Sequence, residues 1–213
     1  MEPRQPVPVF PLPDVVLFPH AVVPLHIFEL RYRTMVRDAL SGERLVALAL
    51  LKPGWEREYH GSPEFHELGC LARFEEVEWL PDDCYDLTLA GVSRVRLGAP
   101  VREYPYRAVR VALLPEEPYS EDDAVVRSER HALLELYRRL AGRPERATEA
   151  GGPGDELPFV SLVNGVCMTA PLAAEERLAL LALDSVIERG HRACELAARR
   201  LRQGGTPGAG DQN

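Results

Sequence analysis

Apolar positions near the start of the chain come in short pieces separated by prolines. Residues 7–10, 15–18, 21–23 and 25–27 are each long enough for a strand fragment, and Pro11, Pro13, Pro19 and Pro24 punctuate them. Proline cannot donate to a sheet ladder and breaks a helix interior, so the spacing predicts short extended segments with prolines at their starts and edges. From Glu29 the period changes. Tyr32, Met35, Val36 and Leu40 recur at helical spacing, and Ser41-Gly42 supplies a stop. Residues 45–51 form a continuous apolar run of strand length. Residues 52–66, KPGWEREYHGSPEFH, read as a long loop rich in aromatics, glycine and proline. A strand over 68–79, a turn at Pro81-Asp82-Asp83 and alternation at Tyr85, Leu87 and Leu89 predict a hairpin, with two more strands over 91–97 and 106–114.

Past Pro115 the pattern becomes helical. Ser120 followed by Asp123 has the form of a capping box. Val126, Leu133, Leu134, Leu136, Tyr137 and Leu140 then build one apolar face, closed by Gly142. Residues 143–154 read as a polar, glycine-rich linker. Shorter helices are predicted over 157–167 and 173–183, and a last one over 185–202 capped by Asp184 or Ser185. Strands first and helices afterwards predict an α+β chain divided into residues 1–117 (sheet), 118–203 (helices) and a disordered tail, 204–213.

Composition narrows the chemistry. The 213 residues are 46% hydrophobic and 27% charged, enough to bury a core without disulfides or metals. A net charge of −8 argues against broad binding of a phosphate backbone and makes nucleic acid an unfavoured partner. Cys70, Cys84, Cys167 and Cys194 contain no C-x-x-C pair and read as reduced thiols. The N-terminus lacks an apolar stretch of signal-peptide length, and no run reaches a membrane span, so the expectation is a soluble cytoplasmic protein. His60, His66, Cys70 and Cys84 form the most metal-like group, but their spacing lacks the close ligand pairs of structural zinc. No catalytic residue, cofactor or metal is assigned.

The stretch FPLPDVVLFPHAVVPLHIFELRY over residues 10–32 resembles the opening of the N-terminal, substrate-binding domain of Lon proteases, and most of all the short bacterial proteins that carry this domain alone. The family pattern runs L-F-P-L-P-x-V-V-L-F-P-x-x-x-x-P-L-x-I-F-E-P-R-Y, and Leu30 stands where it has proline. Gly69, then Leu80-Pro81-Asp82, then Gly91 with Arg94 and Val95, then Pro105-Tyr106 resemble later family motifs in order. The resemblance implies a PUA-like, partly open β barrel beside a C-terminal helical bundle. It also implies recognition of unfolded or partly folded proteins and peptides, in the service of a Lon-type protease. The catalytic parts of Lon have no counterpart in this sequence. A phosphate loop needs a Gly-Lys pair, and Lys52, the sole lysine, follows Leu51. That same lysine lies outside any Ser-Lys protease motif.

The expected activity is therefore non-enzymatic binding of exposed apolar segments. The alternative is a barrel that binds a small ligand or RNA. Trp55 and Tyr59 sit in the long loop, as a lid of core or as an apolar platform. Arg31 and Tyr32 stand at the start of the first helix, and Phe18 and Phe28 in the apolar stretch before it. With Glu29 and Arg31 orienting the peptide, the candidate binding residues are Phe18, Phe28, Glu29, Arg31, Tyr32, Trp55 and Tyr59.

Overall fold

The computed structural model describes residues 3–57, 61–141 and 157–204. Among these, six strands form one sheet: β1 (Val7–Leu12), β2 (Val22–Ile27), β3 (Leu45–Leu51), β4 (Phe65–Trp79), β5 (Tyr85–Arg102) and β6 (Ala108–Leu114). Helix α1 (Leu30–Ser41) lies between β2 and β3, and α2 (Ala124–Ala141), α3 (Phe159–Thr169), α4 (Ala174–Leu181) and α5 (Val186–Gly204) follow the sheet. The chain is thus α+β, with strands and most helices segregated along the sequence.

The strand order is β2-β5-β4-β3-β1-β6, and β5 also pairs with β6. That second pairing closes β5, β4, β3, β1 and β6 into a ring, with β2 added outside it. β1 and β3 run parallel, joined through β2 and α1, and the other pairs are antiparallel. The continuous apolar run of β3 follows from this placement, because both of its faces are buried. Ala47 and Ala49 pack with Val9, Leu71, Val95, Leu97 and Val109, drawn from all five ring strands. Val46 and Leu48 pack on the other face with Tyr32, Met35 and Val36 of α1. Leu50 joins Val16, Phe18 and the apolar faces of α2, α3, α4 and α5.

Several boundaries differ from those expected. Residues 15–18 are not a strand, yet Val16, Leu17 and Phe18 are fully buried, joining the sheet to the helices. Bracketed by Pro13 and Pro19, the segment pairs with no strand and contributes packing. The two pieces expected over 85–89 and 91–97 are one strand, β5. Gly91 between them marks a close approach of backbones: a Cβ there would lie 2.1 Å from the Phe18 carbonyl oxygen. Its N–H instead donates to the Ala21 carbonyl at 2.8 Å. At α2 the capping residue is Asp123, whose carboxylate accepts from the Val125 N–H at 2.8 Å, while Ser120 closes the preceding turn. Ser185 caps α5, accepting from the Glu188 N–H, because Asp184 is engaged elsewhere. Gly142, the linker over 143–154 and all of the tail but Gly204 lie outside the described residues.

Sheet and helices meet at two buried arginines. The Arg94 side chain, on β5, is wholly inaccessible and donates to the carbonyls of Leu181 and Pro115 and to Asp184 at 3.0, 2.8 and 2.8 Å. Its Nε lies 3.3 Å from Glu116. Arg189, on α5 and equally buried, donates to both oxygens of Glu116 at 3.1 and 2.7 Å and to Asn164 of α3 at 3.0 Å. Asn164 in turn donates to the Pro19 carbonyl at 3.0 Å. Glu116 therefore sits between two guanidinium groups, and every element of the helical layer reaches the sheet through this cluster or the apolar core around it.

Glu116→Gln removes the shared anion, leaving Arg189 with only neutral acceptors among the described residues and Arg94 with Asp184. The expected loss is about 3–5 kcal/mol in urea denaturation, against less than about 0.5 kcal/mol for Arg37→Gln on the exposed side of α1.

A smaller electrostatic contribution is pH-dependent. Glu176 accepts from the Ala173 N–H at the start of α4 and from Arg200 of α5, and these bonds hold its carboxyl below the usual carboxylate range. A depressed folded pKa adds stability that is present above the ordinary value and lost as pH falls through it. Glu176→Gln is expected to flatten the acid limb of the stability curve below about pH 4.5, read by thermal melts across a pH series.

Candidate functional site

The last residues of β2 and the first turn of α1 form the most distinctive surface of the sheet layer. Ile27 closes β2 as a buried residue, and the chain then turns outward, leaving Phe28 61% and Leu30 65% exposed. Beside Phe28 lies an apolar hollow of about 120 Å³, lined by Phe10, Pro11, Leu12, Pro13, Leu25, Ile27 and Tyr32 among others. The prolines hold its floor in extended form without offering N–H donors, so the hollow presents carbon surface and carbonyl oxygens.

Arg31 and Tyr32 form the rim. Glu29 accepts from Arg31 Nε at 3.0 Å, and Arg31 also donates to the Gly61 carbonyl at 3.1 Å. The guanidinium lies 4.6 Å from the centre of the Tyr32 ring, which packs against Phe10 at 4.6 Å. One turn along, Arg33 donates to the carbonyl of Asp83 at 2.9 Å, tying α1 to the β4–β5 turn. Trp79 at the base of that turn is 67% exposed and donates to Asp83.

A second hollow, of about 110 Å³, opens on the far side of Arg31 and Tyr32. The two share Pro11, Arg31 and Tyr32, so they are neighbours along one surface. Its other lining residues include Ser62, Glu103, Tyr104, Tyr106 and Arg107.

The structure brings Phe28, Glu29, Arg31 and Tyr32 together. Phe18 is corrected: at 0% exposure it belongs to the core between sheet and helices, where no ligand reaches it. Trp55 is half-buried in a short 3₁₀ turn, Trp55–Arg57, and lines neither hollow. Tyr59 and His60 lie outside the described residues. Leu30, Tyr104 and Arg107 were not singled out from the sequence. The Pro105-Tyr106 motif stops one residue short of Arg107, and a lone arginine carries no pattern of its own.

Nucleophilic and metal chemistry find little support among the described residues. Burial pushes the thiols of Cys70 and Cys167 up to about 12 and that of Cys194 to about 11, far from a thiolate at neutral pH. Cys70 and Cys84 are buried apart from any metal-binding group of three or more His, Cys, Asp or Glu. No described helix is long and apolar enough to cross a membrane.

A closed sheet ring flanked by helices, with a proline-floored apolar hollow at the entry to the first helix, places the chain among α+β domains built on a ring of strands. Comparison with known proteins names the family. Residues 6–199 match the ATP-dependent protease La (LON) substrate-binding domain, and the chain belongs to that family. It is 26% identical over 186 residues to Lon protease of Flavobacterium johnsoniae, covering 85% of this chain and 22% of that protein. Over 152 residues it is 30% identical to Lon protease 2 of Sorangium cellulosum, covering 71% of this chain and 17% of the relative. The chain thus spans about a fifth of the length of the curated relatives it matches. Among solved structures, it is similar to the N-terminal domain of Mycobacterium avium complex Lon protease (TM-score 0.69, 19% identity, 91% of this chain and 98% of that one). The Lon N-terminal domain protein from Xanthomonas campestris has a TM-score of 0.62 at 23% identity, covering 95% and 99%. Both share the fold.

The opposite placements of two phenylalanines give a direct test. Phe18→Ala should lower stability by about 3–5 kcal/mol through the cavity it leaves. Phe28→Ala should change it by less than about 0.5 kcal/mol. Chemical denaturation of both variants checks the assignment of one to core and the other to surface.

Proposed function

We propose that this domain is a non-enzymatic recognition module that holds exposed apolar segments of unfolded or partly folded proteins for a Lon-type protease. The observation that carries the reading is the exposed Phe28 at the edge of the apolar hollow over Pro11 and Pro13, with Leu30 exposed two residues further on. An extended segment laid there buries an apolar side chain in the hollow and meets the aromatic and arginine rim of Tyr32 and Arg31. Aromatic and arginine side chains around a desolvated pocket are the usual anchors of protein contacts. The family match supports a substrate-binding role. The closed ring is read as the PUA-like barrel of that family, and its helical layer as the part that holds the ring's outer face in shape. Binding of RNA is less favoured: a broad hollow of about 490 Å³ on the sheet face is lined by Glu76, Glu78 and Asp86, which repel phosphate.

Fluorescence anisotropy with a labelled, permanently unfolded polypeptide and its folded counterpart tests the reading. Selective binding of the unfolded form is expected, weakened about tenfold or more by Phe28→Ser combined with Leu30→Ser. Loss in Trp55→Ala alone would move the site to the long loop. Equal affinity for folded and unfolded forms would overturn the proposal.

A further inference from the structure

The ring leaves one strand unclosed. β2 pairs with β5 alone, so its other side is the open edge of the sheet among the described residues. The register decides which backbone groups face outward there. The Gly91 N–H donates to the Ala21 carbonyl, which places that pair at a bonded position of the ladder. Bonded and unbonded positions alternate along an antiparallel pair. Val23, Leu25 and Ile27 therefore aim their backbone groups at β5, and Val22, Pro24 and His26 aim theirs away. Proline at position 24 fits this phase, since an edge position needs no ladder donor. Both groups of His26, both groups of Val22 and the Pro24 carbonyl are left for another extended chain. The donor missing at Pro24 keeps a long strand from pairing along the whole edge.

Two hollows flank this edge, and Leu25 and His26 line both of them. On the face toward α1, Leu25 and Ile27 border the apolar hollow beside Phe28. On the opposite face lies the broad hollow of about 490 Å³ lined by Glu76, Glu78 and Asp86. There His26, Asp86 and Glu78 stand opposite one another across β2, β5 and β4. Like charges directly opposite destabilise a sheet. The His26 imidazole, with Nδ1 2.6 Å from Asp86, is the one basic group in that row. Glu76 and Glu78 have no ion pair among the described residues. A segment laid along the edge sends alternate side chains to opposite faces, one set to carbon surface and the other to carboxylates.

We propose that β2 takes an extended client segment as an added antiparallel strand centred on His26, and that it favours segments in which a basic residue stands between apolar ones. The inference rests on the substrate-binding reading above and gives it a binding mode and a chemical class. The client residue opposite His26 exchanges both backbone bonds with it and shares its face, where an arginine or lysine side chain extends toward Asp86 and Glu78. The residues on either side turn to the other face, toward Leu25, Phe28 and the apolar hollow. A second copy of this chain is the poorer occupant, because pairing through the same edge would bring two acidic faces together.

The probe is a fluorescein-labelled peptide with leucine-arginine-leucine at its centre and serine flanks. Three relatives accompany it: glutamine in place of the arginine, the backbone N-methylated at the arginine, and the backbone N-methylated at the leucine that follows. Anisotropy on the native protein should show the parent binding about tenfold more tightly than the glutamine and N-methyl-arginine peptides. The N-methyl-leucine peptide, whose blocked amide faces away from β2, should stay within about twofold of the parent. Hydrogen exchange at the His26 amide should slow in the complex. The preference for arginine over glutamine should shrink as salt rises and vanish in the Glu78→Gln, Asp86→Asn double variant. Equal binding of the two N-methylated peptides overturns strand addition, and equal binding of the arginine and glutamine peptides overturns the basic preference. In either case the substrate-binding reading stands if the unfolded polypeptide described above still binds, and falls as well if it does not. The peptide comparisons use the native protein, so they hold even if the double variant folds poorly.

Discussion

The constraint on which this structure turns is the compensation of two buried guanidinium groups by two carboxylates, Glu116 shared between them and Asp184 on Arg94. Neither Arg94 nor Arg189 can lose its charge, and neither reaches water. Their burial is tolerable only if backbone carbonyls and Glu116 surround them with good geometry. Those acceptors come from the connector after β6, from the end of α4 and from the turn before α5. Positioning them fixes how the helical layer lies against the ring. Apolar contact through Phe18, Leu50 and the helix faces is larger in area but indifferent to direction. The ionic cluster supplies the direction.

That registration reaches the surface around Phe28 through the chain itself. Asn164, held by Arg189, bonds the Pro19 carbonyl, and Gly91 anchors the Phe18–Ala21 turn from the other side. β2 leaves this turn, pairs with β5 and ends at Ile27, where Phe28 is thrown outward. The prolines between Phe10 and Pro24 have two consequences here. They keep a strongly apolar stretch from pairing along its length, and they pave the hollow beside Tyr32.

Much of the layout was legible in the residues. Helical spacing after Glu29, the continuous run of β3 and the alternation along the start of β5 each fall where they were expected. The failures have separate physical causes. Gly91 reads as a strand break but serves close backbone approach inside one long strand. Val15 to Phe18 reads as a strand by composition, whereas in the fold it pairs with no strand and its side chains pack between sheet and helices. Phe18 and Phe28 are indistinguishable by type, ten residues apart in one greasy stretch, and only the fold decides that one is sealed and the other exposed. Arg94 and Arg189 are the least legible, because arginine ordinarily marks a surface.

The bonds that lock the layers together join residues far apart along the chain: Arg94 to Asp184 across 90 positions, Asn164 to Pro19 across 145. Closing such loops costs entropy before any contact rewards it, and folds rich in them form slowly. During synthesis the sheet segments emerge long before α5, so Arg94 waits without Asp184 or Arg189's shared anion in its final place. The ring can gather its strands earlier, but its outer face acquires a fixed partner only at the end. A nascent copy of this domain therefore exposes, until α5 has emerged, the apolar face that the helical layer covers in the finished fold.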